Sequence, residues 1–336
     1  MSTEGGTRAV IAAMFANAGI AITKFVAFVI TGSSSMLSEA IHSVADTCNQ
    51  VLLLVGGRRA RRVPDVDHQF GYGRSRYVYG FVVAIIIFLL GGLFSLYEGW
   101  HKIHFPHPLE KAWVAYGVLL ISIVLESFSF RTALREANKS RGSRPLFRYV
   151  REARQPELPV VLLEDFGALV GLVFALIGVS LAEITGNPQW DGVGALAIGT
   201  LLVIIAVFLA IEMSSMLVGE SALPEERAAM ESALAASPGV LSVIHMRTLH
   251  TGPDELLVAA KIGVDPSAGA EHVASTIDRA EQAIRAATPT ARWIFLEPDI
   301  RRTGGAPGTA APGWDPRVLP VADADFPDPA PPAPTT

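Results

Sequence analysis

With Cys48 the only cysteine in 336 residues, no intramolecular disulfide and no thiolate pair for a metal site can form. Any metal ligands must therefore be His, Asp, Glu or backbone. Charge is scarce as well: 18% of residues are charged, where a soluble domain carries roughly a quarter. The formal net charge of -5 leaves no broad basic surface, which excludes nucleic acid as a partner. The start of the chain, Met1 to Arg8, is polar and leads into an apolar run without a small-residue cleavage site. That run reads as a retained helix and not as a signal peptide.

What is abundant is hydrophobic side chain, 50% of the total. Crossing a hydrocarbon core of about 30 Å takes about 20 helical residues. Six stretches are long enough: Val10 to Thr31, Met36 to Gly57, Tyr77 to Leu96, Trp113 to Phe130, Val160 to Ile184 and Gly192 to Leu217. The expected fold is an α-helical membrane protein, a six-helix transmembrane bundle over 1–218 in contact with the lipid bilayer.

Basic residues set the expected orientation, because they concentrate in short cytoplasmic loops. Arg58, Arg59, Arg61, Arg62, Arg74 and Arg76 follow the second span. Arg131, Arg135, Lys139, Arg141, Arg144, Arg148, Arg151 and Arg154 lie between the fourth and fifth. The alternate connections hold only Lys102 and Lys111. Both termini are thus expected in the cytoplasm, the chain sitting in the cell (inner) membrane as a multi-pass protein.

After the sixth span the pattern changes to that of a small soluble α+β unit, assigned to 219–302. Pro224 to Ala236 reads as a helix and Ser237-Pro238-Gly239 as a break. Val240 to Leu249 and Leu256 to Val264 read as strands around a turn at Thr251 to Asp254, followed by a helix over Ala270 to Ala286 and a strand over Ala291 to Glu297. The order is αββαβ. From residue 303 to 336 the chain is rich in Pro and Ala and poor in large apolar groups, so disorder is expected there.

Charged groups within spans carry the chemistry. A charge at mid-bilayer costs about 2.5 to 3.5 kcal/mol, so Glu39, His42 and Asp46 in the second span should face a cavity. At 3.6 residues per turn His42 and Asp46 are about 40° apart and Glu39 about 60° from His42, so all share one face. Asn49 and Gln50 continue that stripe, whereas Cys48 points elsewhere. The fifth span carries Glu164 and Asp165 near its start. An imidazole and several carboxylates suit one divalent ion, zinc asking for about four N or O ligands. The plainer alternative is polar contact between helices. Lys24 and Asn17 in the first span receive no role. His101, His104 and His107 read as solvated loop residues.

The run Gly32-Ser33-Ser34-Ser35-Met36-Leu37-Ser38-Glu39-Ala40-Ile41-His42-Ser43-Val44-Ala45-Asp46, with Asp67-His68-Gln69-Phe70-Gly71-Tyr72-Gly73-Arg74 after it, closely resembles the cation diffusion facilitator family. Asp165 and Trp190-Asp191-Gly192 extend the resemblance, which covers residue 8 to about 300. It implies a homodimeric exchanger of divalent metal for protons, with a ferredoxin-like cytoplasmic dimerisation domain and a transport site between spans two and five. Carried over by position, the ligands fall on His42, Asp46 and Asp165. The family's other fifth-span ligand, a His, falls on Val161; Glu164 is the nearest replacement, and Glu39 is a further candidate. The Glu-Asp pair and the basic insert before span five resemble the zinc transporter nine branch.

A second family site in the loop after span two would keep only Asp65 and His68, because Tyr72 stands at its third ligand. In the soluble domain His245, His250, His272 and Glu297 are candidate ligands, but Lys261 and Leu296 stand where others are expected. His245 is expected to point off the core face of its strand. The expectation is a transporter and not an enzyme, exporting Zn2+, or Mn2+ or Fe2+ given the carboxylates, as substrate and without a resident cofactor. The alternative is a non-transporting, metal-responsive membrane scaffold.

Overall fold

The computed structural model describes residues 3–107 and 111–300; the tail at 303–336, expected to be disordered, lies outside the described residues. The helical region comprises α1 (Thr3–Thr31), α2 (Ser34–Ala60), α3 (Ser75–His104), α4 (Ala112–Arg141), α5 (Leu146–Glu152), α6 (Glu157–Thr185) and α7 (Gln189–Val218). The fifth and sixth spans of the sequence reading are thus α6 and α7. Among the described residues four helices, Ser75–His104, Ala112–Lys139, Glu157–Thr185 and Gln189–Val218, are long and apolar enough to cross a membrane by themselves. Helix α1 contributes the apolar stretch Asn17–Thr31. Helix α2, with 27 residues, reaches about 40 Å at 1.5 Å per residue. Its mean apolarity is low because its polar stripe faces protein.

Helix α2 is central: it packs on α1, α3, α6 and α7, while α4 packs on α1 and α6. The core between them holds Met36, Ile87, Leu119, Leu172, Ile198 and Leu202. The opposite pattern holds outside, where Phe25, Val29, Ile121, Phe128, Ile177 and Ile204 are exposed, as a bilayer-facing surface requires.

Two helices outrun their apolar stretches. Helix α4 continues through Arg131 and Lys139 to Arg141, and α5 follows, so much of the basic insert expected as a loop is helical. Helix α3 runs past Leu96 to His104. His101 and His104 are therefore in its last turn, stacked near Tyr97 and Trp100, and only His107 lies in the following loop. Helix α3 also contains a π-helical turn at Ile87–Leu93. There Gly91 and Gly92 give close passage to α7: a Cβ on Gly92 would stand 2.7 Å from Val203.

The C-terminal part contains α8 (Pro224–Ala236), β1 (Ser242–Gly252), β2 (Glu255–Gly263), α9 (Ala270–Ala287) and β3 (Ala291–Asp299), the expected αββαβ order. The strands form one sheet in the order β1-β2-β3. β2 alternates cleanly, burying Leu256, Val258, Ala260 and Ile262. β1 does not alternate: Ile244 is exposed and His245 half-buried, so the expected two-faced reading fails for this strand. By their contacts, the described residues up to Arg227 group with Thr248–Leu257 and Thr290–Trp293, and Ala228–Arg247, Val258–Pro289 and the described residues from Ile294 form a second unit.

Candidate metal-ion site

The site begins with how α2 is held. Gly32, at φ +63°, makes the tight turn from α1, a conformation that favours glycine. Ser33 caps α2, its Oγ accepting from the Met36 N–H at 3.2 Å. Asp191, fully buried at the start of α7, accepts from Ser33 Oγ at 2.8 Å, Ser34 N at 2.7 Å and Ser35 N at 3.3 Å. A carboxylate over a helix N-terminus meets both the orphan N–H groups and the helix dipole. Lys102 Nζ donates to Gly32 O at 3.0 Å, and Ser34 Oγ to Glu98 at 2.8 Å. The serine run thus fixes the rotation of α2 and turns its acidic stripe inward.

On that stripe Glu39, His42, Asp46 and Asn49 are all buried. Glu39 pairs with Lys24 of α1 (Nζ to Oε2, 3.0 Å), and Lys24 also donates to Ser43 Oγ at 2.9 Å. Lys24, left without a role by sequence reasoning, is therefore the counter-ion of Glu39. Helix α6 has no side chain at Gly171, where a Cβ would lie 2.6 Å from Glu39 Oε1.

One turn along α2, His42 Nε2 stands 3.6 Å from Asp46 Oδ2. Both ring nitrogens of His42 and Oδ1 of Asp46 are buried without a hydrogen-bond partner among the described residues. Across from them α6 presents Glu164, which accepts from Asn49 Nδ2 at 2.6 Å, and Asp165, which accepts from Ser129 Oγ of α4 at 2.9 Å. Glu164 and Asp165 both lie within electrostatic range of Asp46. Among the described residues no three His, Cys, Asp or Glu side chains already stand close enough to hold a metal ion together. His42, Asp46, Glu164 and Asp165 share one buried region between α2 and α6. Val161 instead lies in an apolar patch with Ala133, Ala137, Tyr149 and Leu162.

Sequence reasoning missed Glu126 of α4, which is buried within electrostatic range of Lys24, Asp46, His42 and Glu39. The signal was available, since Glu126 is a lone carboxylate in an apolar span. Cys48 is exposed and apart from the site.

The loop pair Asp65 and His68 does come together, at 3.5 Å, but on an exposed surface. Asp65 Oδ1 accepts the N–H groups of Asp67 and His68, and Oδ2 accepts from Tyr72 Oη at 2.6 Å. The Tyr72 hydrogen bond, with the backbone bonds behind it, holds the Asp65 carboxyl below its usual range. Here Asp65 organises the turn. In the C-terminal part Lys261 pairs with Glu297 and Asp299, both at 3.1 Å. Burial, then Arg247 and Lys261, push the half-buried His245 below the ordinary histidine value. Burial also lowers His250.

A polytopic helical membrane protein with buried His, Asp and Glu on two facing helices is the class of protein that these observations define. The cation efflux transmembrane domain family matches residues 10–218, and the chain belongs to that family. It is 34% identical over 264 residues to the proton-coupled zinc antiporter SLC30A9, mitochondrial, of Mus musculus, covering 78% of this chain and 47% of the mouse protein. It is 30% identical over 211 residues to metal tolerance protein C4 of Arabidopsis thaliana, covering 62% of this chain and 46% of that protein. The chain thus spans about half the length of these relatives. A solved C-terminal domain of MamM matches 23% of this chain and 93% of its own at 24% identity, with a TM-score of 0.22.

Proposed function

We propose that this chain exports a divalent metal cation, zinc foremost and manganese or iron(II) by the same ligands, in exchange for protons. The observation that carries the reading is the pair His42 and Asp46, buried with unpartnered polar atoms and faced by Glu164 and Asp165. Polar atoms in a dry interior cost free energy unless something binds them, and a small doubly charged ion would satisfy them together. Carboxylates outnumber cationic side chains in this region, so cations, whether protons or metal, must balance them. That is the electrostatic basis of an exchanger: metal entering displaces protons, and protons returning release metal. The ion would pass between α2 and α6 by alternating access, with α2 held at its Gly32 end by Asp191. The names of the relatives, a proton-coupled zinc antiporter and a metal tolerance protein, agree with this reading.

The proposed setting is the cell membrane, with both termini cytoplasmic as the arginine-rich connections favour. The proposed working state is a homodimer. In proteoliposomes carrying a pH gradient, the parent chain should take up Zn2+ with matching proton movement, and His42→Ala and Asp46→Ala should each cut the rate by more than the about 10- to 100-fold that loss of a partner behind a ligand costs. Parent-like rates in both variants would remove the site assignment, and absence of any metal-driven proton flux in the parent would favour the scaffold.

A further inference from the structure

Helix α4 supplies one carboxylate to the interior that spans two and five do not account for. Ser122, Glu126 and Ser129 are successive positions on one face of α4, each about 40° to 60° from the next. Ser122 and Glu126 are buried, and Ser129 holds Asp165 through its Oγ at 2.9 Å. Glu126 is therefore one turn from the contact that joins α4 to the site. Its carboxylate enters no hydrogen bond or close ion pair among the described residues; its charged neighbours are Lys24, Asp46, His42 and Glu39, with Glu164 and Asp165 also within its range. Glu39 is already paired by Lys24. Glu126 has no ion pair of that kind among the described residues, and the His42 ring nitrogens and Asp46 Oδ1 are buried without a hydrogen bond.

A buried carboxylate without a hydrogen-bond donor is costly in a membrane interior, and a packed structural role would show as a bond. We propose that Glu126 is a further ligand for the divalent cation, a third-helix carboxylate that joins His42, Asp46 and Asp165 during transport. An added oxygen ligand hardens the site, so Glu126 also sets the preference between zinc and manganese. The inference rests on the transport site proposed above.

The test uses the full chain, with Glu126→Gln, Glu126→Asp and Asp46→Asn compared for Zn2+ and Mn2+ binding by titration calorimetry and for flux in proteoliposomes. Glu126→Gln keeps the shape of the side chain and should weaken metal binding about tenfold or more, losing more Mn2+ than Zn2+. Glu126→Asp should recover part of the binding with a changed Zn2+ to Mn2+ ratio. Parent-like affinity and ratio in Glu126→Gln, with Asp46→Asn inactive, would overturn this inference alone. Parent-like behaviour of Asp46→Asn would overturn the transport site itself. Should Glu126→Gln fail to fold, Glu126→Asp decides, and an unchanged metal ratio in it overturns the inference.

Discussion

The Lys24 and Glu39 side chains are both fully buried, in a part of α1 and α2 that would otherwise sit in hydrocarbon. Removing one partner of such a pair leaves a bare charge, at a cost of about 3 to 5 kcal/mol, whereas removing both together can be nearly neutral. Lys24→Met should therefore lower the unfolding midpoint in detergent sharply, and adding Glu39→Gln should restore most of it. A double-mutant cycle measures this directly, and additive losses would mean that the two side chains do not depend on each other. A second residue, Asp65, can be read through pH outside the membrane. Its folded carboxyl is held low by Tyr72 and by backbone N–H groups, so its contribution is present above the usual aspartate value and is lost as pH falls through the lowered one. The Asp65 carboxyl-carbon NMR signal should thus keep its ionised position down to about pH 4 and move below it. In Asp65→Ala the Asp67 and His68 amide signals should be shifted already at pH 7, for want of their acceptor.

At the scale of helices, α3 and α7 approach so closely that glycine is needed on both. A Cβ on Gly99 would stand 2.7 Å from Gly192 O and from Leu196 N, and one on Gly199 would stand 2.7 Å from Leu96 N and 2.9 Å from Gly92 O. These neighbours are backbone and cannot swing aside. Gly99→Ala and Gly199→Ala should each cost about 1 to 3 kcal/mol or separate the helices, read as a lowered thermal midpoint. Gly117→Ala, which meets nothing within 4 Å, should not lower the midpoint and should raise it slightly, as alanine favours a helix interior over glycine. The seam explains what sequence reading reached and what it missed. Apolar runs located the long helices because bilayer thickness sets their length, yet they ended α4 too early, since Arg131 to Arg141 continues the helix beyond the apolar zone. The acidic stripe of α2 was legible because charges in an apolar run have few places to go. Its anchor on Asp191 was not, because the contact joins residues 158 apart and depends on packing. Lys24 and Glu126 fall between: both were visible as isolated charges, but only the fold places them beside Glu39 and Asp46.

Across the whole molecule the unequal distribution of arginine makes a statement about topology. The connection after α2 carries Arg61 and Arg62, and the basic segment after the apolar part of α4 carries Arg141 and Arg144, whereas the connections after α3 and α6 hold Lys111 and no basic residue respectively. With every long helix crossing, the first two segments share one side and the last two share the other. Cys48 is the only native thiol, so a Cys48→Ser background is free of competing cysteines. In it, Lys111→Cys and Asn187→Cys, both at exposed positions, should react with a membrane-impermeant maleimide added to intact cells. Arg61→Cys, also exposed, should react only in inverted vesicles. Labelling of Arg61→Cys and Lys111→Cys from the same side would mean that α3 does not cross. The proposed path for the ion would then have no second compartment to open into, because α3 and α6 enclose His42 and Glu39 through Gly91 and Gly171.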